Sequence, residues 1–313
     1  MKVFKLTTES HALLDLNEQS WETTIAYYEK ETHKRAPYYC DLKKKTRYFA
    51  VCPGCNNPVQ LVNLYVNKKL PDNEKKQSPH AKHQPHSVIG IATYYQEKYD
   101  TCELRQRTPF SDTEKRTGTD VPNEILQLIQ RYPDILYKHI RKIIGINFSR
   151  RVFERMIDNF LRANGHCYKR INKFNLPYAF LYMQKSTRII NQHITEGHAY
   201  QKEIIDCIQN SKYFTVSDNK ITPINPKVDG FVEIDFYLTK HKITPIKNMI
   251  TLCITESKGG EVDSLLEKEF PVNESDYIND INEAMDNGDN EMDSNKARSQ
   301  LREMVLNCIE KNN

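Results

Sequence analysis

The spacing of apolar residues changes twice along this chain. In residues 36–105 it is short and broken. Residues 47–51 (Arg47, Tyr48, Phe49, Ala50, Val51) and 59–66 predict two short strands, and residues 67–87 a polar loop. From 123 to 210 the spacing is helical. Ile125, Leu128, Ile129 and Tyr132 follow Asn123, which has the character of an N-cap, and Pro133 closes that helix. Ile135, Ile140, Ile143 and Ile144 mark a second apolar face, and Phe153, Met156, Ile157, Phe160 and Leu161 a third. Pro177 interrupts the pattern, with one helix predicted beyond it as far as Ile194 and another over 199–210. From 213 the period becomes two. Val232, Ile234, Phe236 and Leu238 alternate with Glu233, Asp235 and Tyr237; Ile250, Leu252 and Ile254 alternate with Thr251, Cys253 and Thr255. These are two neighbouring strands.

The remainder sets the domain plan. Residues 1–35 form a lead-in segment with a helix around 18–32, and 106–122, rich in Thr, Ser, Pro and charge, form a linker. Residues 123–260 combine the helical body with the strands. Residues 261–296 read as an acidic, partly disordered segment, and 297–313 as a terminal helix with Leu301, Met304, Val305, Cys308 and Ile309 on one face. The expected class is α+β: a small N-terminal module, a central helical body, and a small C-terminal β-sheet with a flanking helix.

Charge sharpens this plan. The chain of 313 residues has a net charge of +4, but residues 261–293 hold twelve acids and only Lys268 as a base. Residues 138–173 hold ten bases against Glu154 and Asp158. Such a basic body suits phosphate contact. Arg141, Lys142, Arg150, Arg151, Arg155, Lys169 and Arg170 are its candidate nucleic-acid contacts, with Tyr132, Tyr137, Phe148, Tyr168 and Phe174 interleaved as stacking candidates. The acidic segment can lie over this patch and mask it.

Eight cysteines in a chain whose first residues lack an apolar signal core predict reduced thiols in a cytoplasmic protein, some of them holding metal. No run of 18 apolar residues exists, so no membrane-spanning helix is predicted. No Gly-rich phosphate loop, GxGxxG or GxSxG occurs, which argues against ATP- or NAD-dependent chemistry.

The strongest motif is Cys52-Pro53-Gly54-Cys55, followed by His80-Ala81-Lys82-His83, a C-x2-C-x24-H-x2-H pattern. Two thiolates two residues apart converge on one ion, and thiolate with imidazole selects a closed, structural Zn2+ site. Cys52, Cys55 and His83 are three ligands. The fourth is His80 or Cys102, with Cys40 and His86 further candidates. Cys52, Pro53, Cys55, His80 and His83 together resemble the N-terminal zinc ribbon of CoiA-like competence nucleases. That resemblance implies a zinc ribbon over 36–105 ahead of a restriction-endonuclease-like domain.

Two catalytic arrangements fit such a domain. Glu256-Ser257-Lys258 ends the second C-terminal strand, with Asp235 on the strand before it and Glu203 on the helix before that. This order resembles the PD-(D/E)xK nuclease core, in which paired carboxylates hold Mg2+ and the lysine assists the attacking water. Period two places Asp235 and Glu256 on opposite faces, so they converge only if the strands cross or a bulge intervenes. The alternative is Arg188 and His193, five apart on a predicted helix, resembling the metal-free R-x4–6-H motif of HEPN ribonucleases. The resulting expectation is a zinc-finger nuclease of nucleic acid, RNA before DNA, similar to stand-alone antiphage effectors. A protein trigger at the ribbon and homo-oligomer formation stay open. The other reading is a non-catalytic zinc-finger protein that binds nucleic acid or a protein partner.

Overall fold

The computed structural model describes residues 1–17, 20–42, 45–65, 78–105, 108–111, 113–225, 231–244, 248–287 and 296–312. Its class is α+β. Among the described residues it has nine α-helices and four small sheets, and every strand pairing within those sheets is antiparallel. The chain divides into two compact units. The first comprises Met1–Thr108, Ile243–Lys247 and Asn273–Asp286, and the second Pro109–Lys242, Asn248–Val272 and Asn287–Asn313.

The first unit opens with a two-stranded pair, β1 (Val3–Phe4) and β2 (Leu14–Asp15), then α1 (Trp21–Thr32). A four-stranded meander follows: β3 (Tyr39–Leu42), β4 (Lys45–Val51), β5 (Pro58–Val62) and β6 (His80–His83), in that spatial order. A short helix, α2 (Gln96–Asp100), comes after it. Most of the predicted loop 67–87 lies outside the described residues, but its end at 80–83 is a strand. The core of this unit is small and aromatic. Tyr28 is fully buried, and its hydroxyl donates to the Phe49 carbonyl at 2.8 Å. Phe4 and Tyr38 meet its ring edge-on.

The second unit begins with α3 (Asp120–Arg131) and α4 (Pro133–Ile144). Helix α3 starts three residues before the predicted cap at Asn123. Pro133 ends α3 and also starts α4, because a proline has no N–H to leave unsatisfied in a first turn. Gly145 closes α4 at φ +74°, in the left-handed conformation that a glycine adopts without strain. Next come β7 (Ile146–Asn147), α5 (Arg150–Arg162), α6 (Leu176–Tyr182), β8 (Thr187–Arg188), β9 (His193–Ile194) and α7 (Gln201–Gln209). The helix predicted from Pro177 to Ile194 is therefore corrected. Pro177 sits in the first turn of α6, which ends at Tyr182, and the rest becomes two strand pieces. Ile189 N–H donates to Ile234 O at 2.9 Å, and Asn191 turns the chain at φ +63°, so tertiary pairing overrides helical spacing here.

The last strands are β10 (Phe214–Ser217), β11 (Lys220–Pro223), β12 (Val232–Ile243), β13 (Asn248–Lys258) and β14 (Glu261–Pro271). They build two sheets, ordered β10-β11-β9-β7 and β14-β13-β12-β8. Then α8 (Asp276–Asp286) belongs to the first unit and α9 (Lys296–Asn312) to the second. The acidic segment expected to be solvated is thus corrected where it is described: 261–271 is a strand and 276–286 a helix. Its acids are matched by lysines within the second unit. Asp263 pairs with Lys212 at 2.6 Å, Glu267 with Lys240 at 2.6 Å and Glu269 with Lys242 at 3.6 Å. Strand β14 thereby engages neighbours of its own sheet region rather than the basic stretch 138–173. Charged residues along a terminal strand also oppose edge-to-edge association. The helices enclose the larger core, in which Phe153, Phe160 and Phe180 are all buried.

Candidate metal centre

Cys52, Cys55, His83 and Cys102 converge within the first unit, their ligand atoms all lying within 4.8 Å of one another. The local chain explains each position. Strand β4 ends at Val51, and the chain reverses into β5 through the Cys-Pro-Gly-Cys turn. Cys52 N–H donates to Asn57 O and Asn56 N–H to Cys52 O, both at 2.9 Å. Asn56 holds φ +57°, a conformation that asparagine tolerates. His83 ends β6, opposite Val59 on β5, and so stands beside the turn. Cys102 follows α2. Asn57 is fully buried and fastens that region: its Nδ2 donates to Tyr95 O at 3.0 Å, and Tyr95 N–H donates back to its Oδ1 at 2.7 Å. Gly54 gives Cys102 room, since a Cβ there would stand 3.2 Å from Cys102 Sγ.

Three of the distances among these atoms match those around one tetrahedral ion. Bonds of about 2.3 Å to sulfur and about 2.0–2.1 Å to nitrogen place sulfurs roughly 3.8 Å apart and sulfur and nitrogen roughly 3.5 Å apart. Here Cys52 Sγ and Cys102 Sγ are 3.7 Å apart. His83 Nε2 is 3.3 Å from Cys55 Sγ and 3.7 Å from Cys102 Sγ. Without a cation the thiols divide unequally. Hydrogen bonds from Cys102 and Cys52 hold Cys55 far below the usual thiol range, while burial pushes Cys52 well above it. Cys102 lies at about 11, where the pull of its hydrogen bond with Cys52 is outweighed by the hydrogen bond with Cys55, by burial and by the charge on Cys55. A divalent cation allows all three to ionise together. The cluster could therefore hold a metal ion such as zinc.

The other ligand candidates lie elsewhere. His80 is three positions from His83 on a strand, so the two imidazoles leave opposite faces. His80 Nδ1 donates instead to Ser78 O at 3.2 Å. Cys40 Sγ donates to Pro37 O at 3.4 Å and packs against Phe49, Val51 and Ile91; His86 is exposed.

The predicted catalytic residues do not assemble as either motif requires. Glu256 is 2% exposed on the core face of β13. Its carboxylate accepts from Ser211 Oγ and, at 3.2 Å, from Lys212 N–H, so it anchors the turn after α7. Lys258 stays close by, its Nζ 5.4 Å from the centre of the Tyr213 ring. Asp235 leaves the other face of its strand, opposite Arg188 of β8. A bulge does occur at Ile254 and Thr255, but it does not turn Glu256 out of the core. Glu203, on α7, pairs with Lys268 at 2.6 Å. Arg188 and His193 stand on strands of different sheets, with Arg188 paired to Glu233 and His193 exposed opposite Asn147 and Lys220.

The basic residues are partly used internally. Arg141 donates to Asn147 Oδ1 at 2.6 Å, Arg150 to Gln300, and Arg170 to Pro109 O at 2.7 Å. Lys169 and Arg170 both approach Glu114. Lys142, Arg150, Arg151 and Arg155 are exposed. The interleaved aromatics are core residues rather than stacking platforms: Tyr132, Phe148, Tyr168 and Phe174 are buried, and Tyr137 is half-buried beneath Arg141. Among the described residues, no helix is long and apolar enough to cross a membrane.

Comparison with protein-family models, with curated proteins and with solved structures finds no match for this chain.

Proposed function

We propose that this chain is a zinc-stabilised nucleic-acid-binding protein. Zn2+, held by Cys52, Cys55, His83 and Cys102, is structural, because four protein ligands complete a tetrahedron and leave no position for substrate. The convergence of these four donor atoms, all within 4.8 Å of one another, carries the metal assignment. The nucleic-acid assignment rests on the second unit, where ten bases oppose two acids over residues 138–173 and Lys142, Arg150, Arg151 and Arg155 are exposed. Binding takes precedence over cleavage in this reading, because Glu256 is buried and occupied by Ser211 and Lys212.

The test is direct. Purified protein should contain one zinc per chain and bind labelled RNA or DNA with an affinity that falls steeply with salt. Replacing Lys142, Arg150 and Arg151 with Gln should weaken binding to all sequences and lower the salt slope by about two to three. Binding insensitive to both salt and these substitutions would refute the nucleic-acid reading. Mg2+-dependent cleavage abolished by Glu256→Ala in a protein of unchanged thermal stability would restore the nuclease reading, and metal-free RNA cleavage lost in His193→Ala would move catalysis to β9.

A further inference from the structure

The second unit contains a cavity of about 370 Å³ between α5 and the β8–β12 strand pair. It gathers residues that separate sequence motifs had kept apart. Arg155 comes from the basic helix, Arg188 from the R-x4-H pair, and Asp235 from the carboxylate pair. Their convergence follows from local geometry. Val152, Arg155, Met156 and Asn159 repeat at helical spacing and form one wall. Glu233 and Asp235 are two apart on β12 and share a face, and Arg188 is the cross-strand partner of Asp235.

The polar groups in this cavity are incompletely used. Arg188 pairs with Glu233, yet its Nε is buried without a hydrogen-bond partner. Arg155 and Asp235 make no hydrogen bond or ion pair with the described residues around them. The Arg155 guanidinium, without a partner, matches phosphate oxygens, since its planar donors bind them in a fork. A carboxylate without a partner cannot face the same oxygens; it needs a donor. A ligand that uses both groups presents an anionic group and, a short distance away, a hydrogen-bond donor such as a hydroxyl. Val152 and Met156, both buried, back the helix wall beside these groups. The volume lies within the range of about 300–1,000 Å³ typical of small-molecule sites.

We infer that this cavity binds one ribonucleoside phosphate unit, with phosphate at Arg155, beside the Arg188–Glu233 pair, and a ribose hydroxyl donating to Asp235. The unit is either free or part of an RNA strand. The inference deepens the nucleic-acid reading and rests on it. It adds a discrimination that a basic surface alone does not give, because only RNA carries the 2′-hydroxyl.

The experiment uses the full-length, zinc-loaded chain and four probes: a riboadenylate pentamer, the deoxyadenylate pentamer of the same length, adenosine 5′-monophosphate, and inorganic phosphate. Wild type should bind the RNA pentamer roughly tenfold tighter than the DNA pentamer, a ratio in keeping with one lost buried hydrogen bond. Arg155→Gln should weaken RNA binding roughly tenfold or more, and Arg155→Lys, which keeps the charge on an exposed helical position, should fall between. Asp235→Ala should erase the RNA preference while DNA affinity holds. Competition by the monophosphate assigns the site to free nucleotide, and its failure beside tight pentamer binding assigns it to the strand. Equal binding of RNA and DNA by wild type, or affinity unchanged in both Arg155→Gln and Asp235→Ala, overturns the inference. If binding then still responds to the Lys142, Arg150 and Arg151 substitutions, the nucleic-acid reading survives without the cavity. If none of the four probes binds and longer RNA and DNA also fail, both fall.

Discussion

The two units reach a folded state by different means. The second has a conventional apolar interior, with Phe153, Phe160, Phe180, Ile140, Ile157 and Phe236 all buried. The first has short strands and an aromatic core centred on Tyr28, and at one end of its sheet it places three cysteines and a histidine. That end is made of turns and a five-residue helix, α2, none of whose residues is buried. On the proposed reading, a metal ion at this cluster would supply there what side-chain packing supplies in the second unit. On that reading, one chain combines a fold encoded by hydrophobic periodicity with one encoded by a few donor atoms.

Metal removal is the largest test of that contrast. Structural zinc in small modules contributes on the order of 10–16 kcal/mol. Chelation, or Cys52→Ala, should therefore expose residues 45–65 and 80–105 to hydrogen exchange and proteolysis, while α4 and α5 keep their protection. Acid should act in the same direction, because protons compete with the ion for the three thiolates and the imidazole. Simultaneous loss of protection in both units would abolish the distinction between them.

The converse is a cavity in the second core. Phe153→Ala removes a fully buried ring that contacts Phe180 and Tyr137, and should cost about 3–5 kcal/mol. Zinc content should remain one per chain. Zinc lost along with α5 would mean that the two units do not hold their structures separately.

What the sequence disclosed follows the same division. Helices α3, α4 and α5 are legible because their apolar faces are long and regular, with moments set by local spacing. The cysteine knuckle is legible because two ligands lie within one turn. Cys102 stayed open against His80, because α2 and the Asn57–Tyr95 bonds bring it in from 47 residues beyond Cys55. Strand parity could have decided it, once 80–83 was recognised as a strand. Strand β14 was hidden by its acids, although Gly259-Gly260, at φ +61° and +91°, is a two-residue hairpin signal directly after β13. Strands β8 and β9 have two residues each and owe their form to partners far away in sequence, which no local pattern records.

A smaller effect separates structural from catalytic carboxylates. Glu256→Ala deprives Ser211 and the Lys212 N–H of their acceptor and should destabilise the second unit by about 1–3 kcal/mol. Glu256→Gln retains an acceptor and should recover much of that loss. Nucleic-acid affinity should stay the same in both. A change in affinity at constant thermal stability would place Glu256 at a ligand site instead of an internal turn.

The smallest expected effect addresses the metal module itself. His80 and His83 share a motif but leave β6 on opposite faces, and His80 keeps a local hydrogen bond to Ser78 O. His80→Ala should therefore leave one zinc per chain and shift stability by no more than about 0.5–1.5 kcal/mol, the worth of that bond. Cys102→Ala, by contrast, removes a donor 3.7 Å from both Cys52 Sγ and His83 Nε2 and should sharply weaken metal retention against a chelator. Equal zinc loss from the two variants would mean that both side chains support the site. Loss from His80→Ala alone would exchange the fourth ligand, and strand β6 would then have to twist enough to bring both imidazoles to one face.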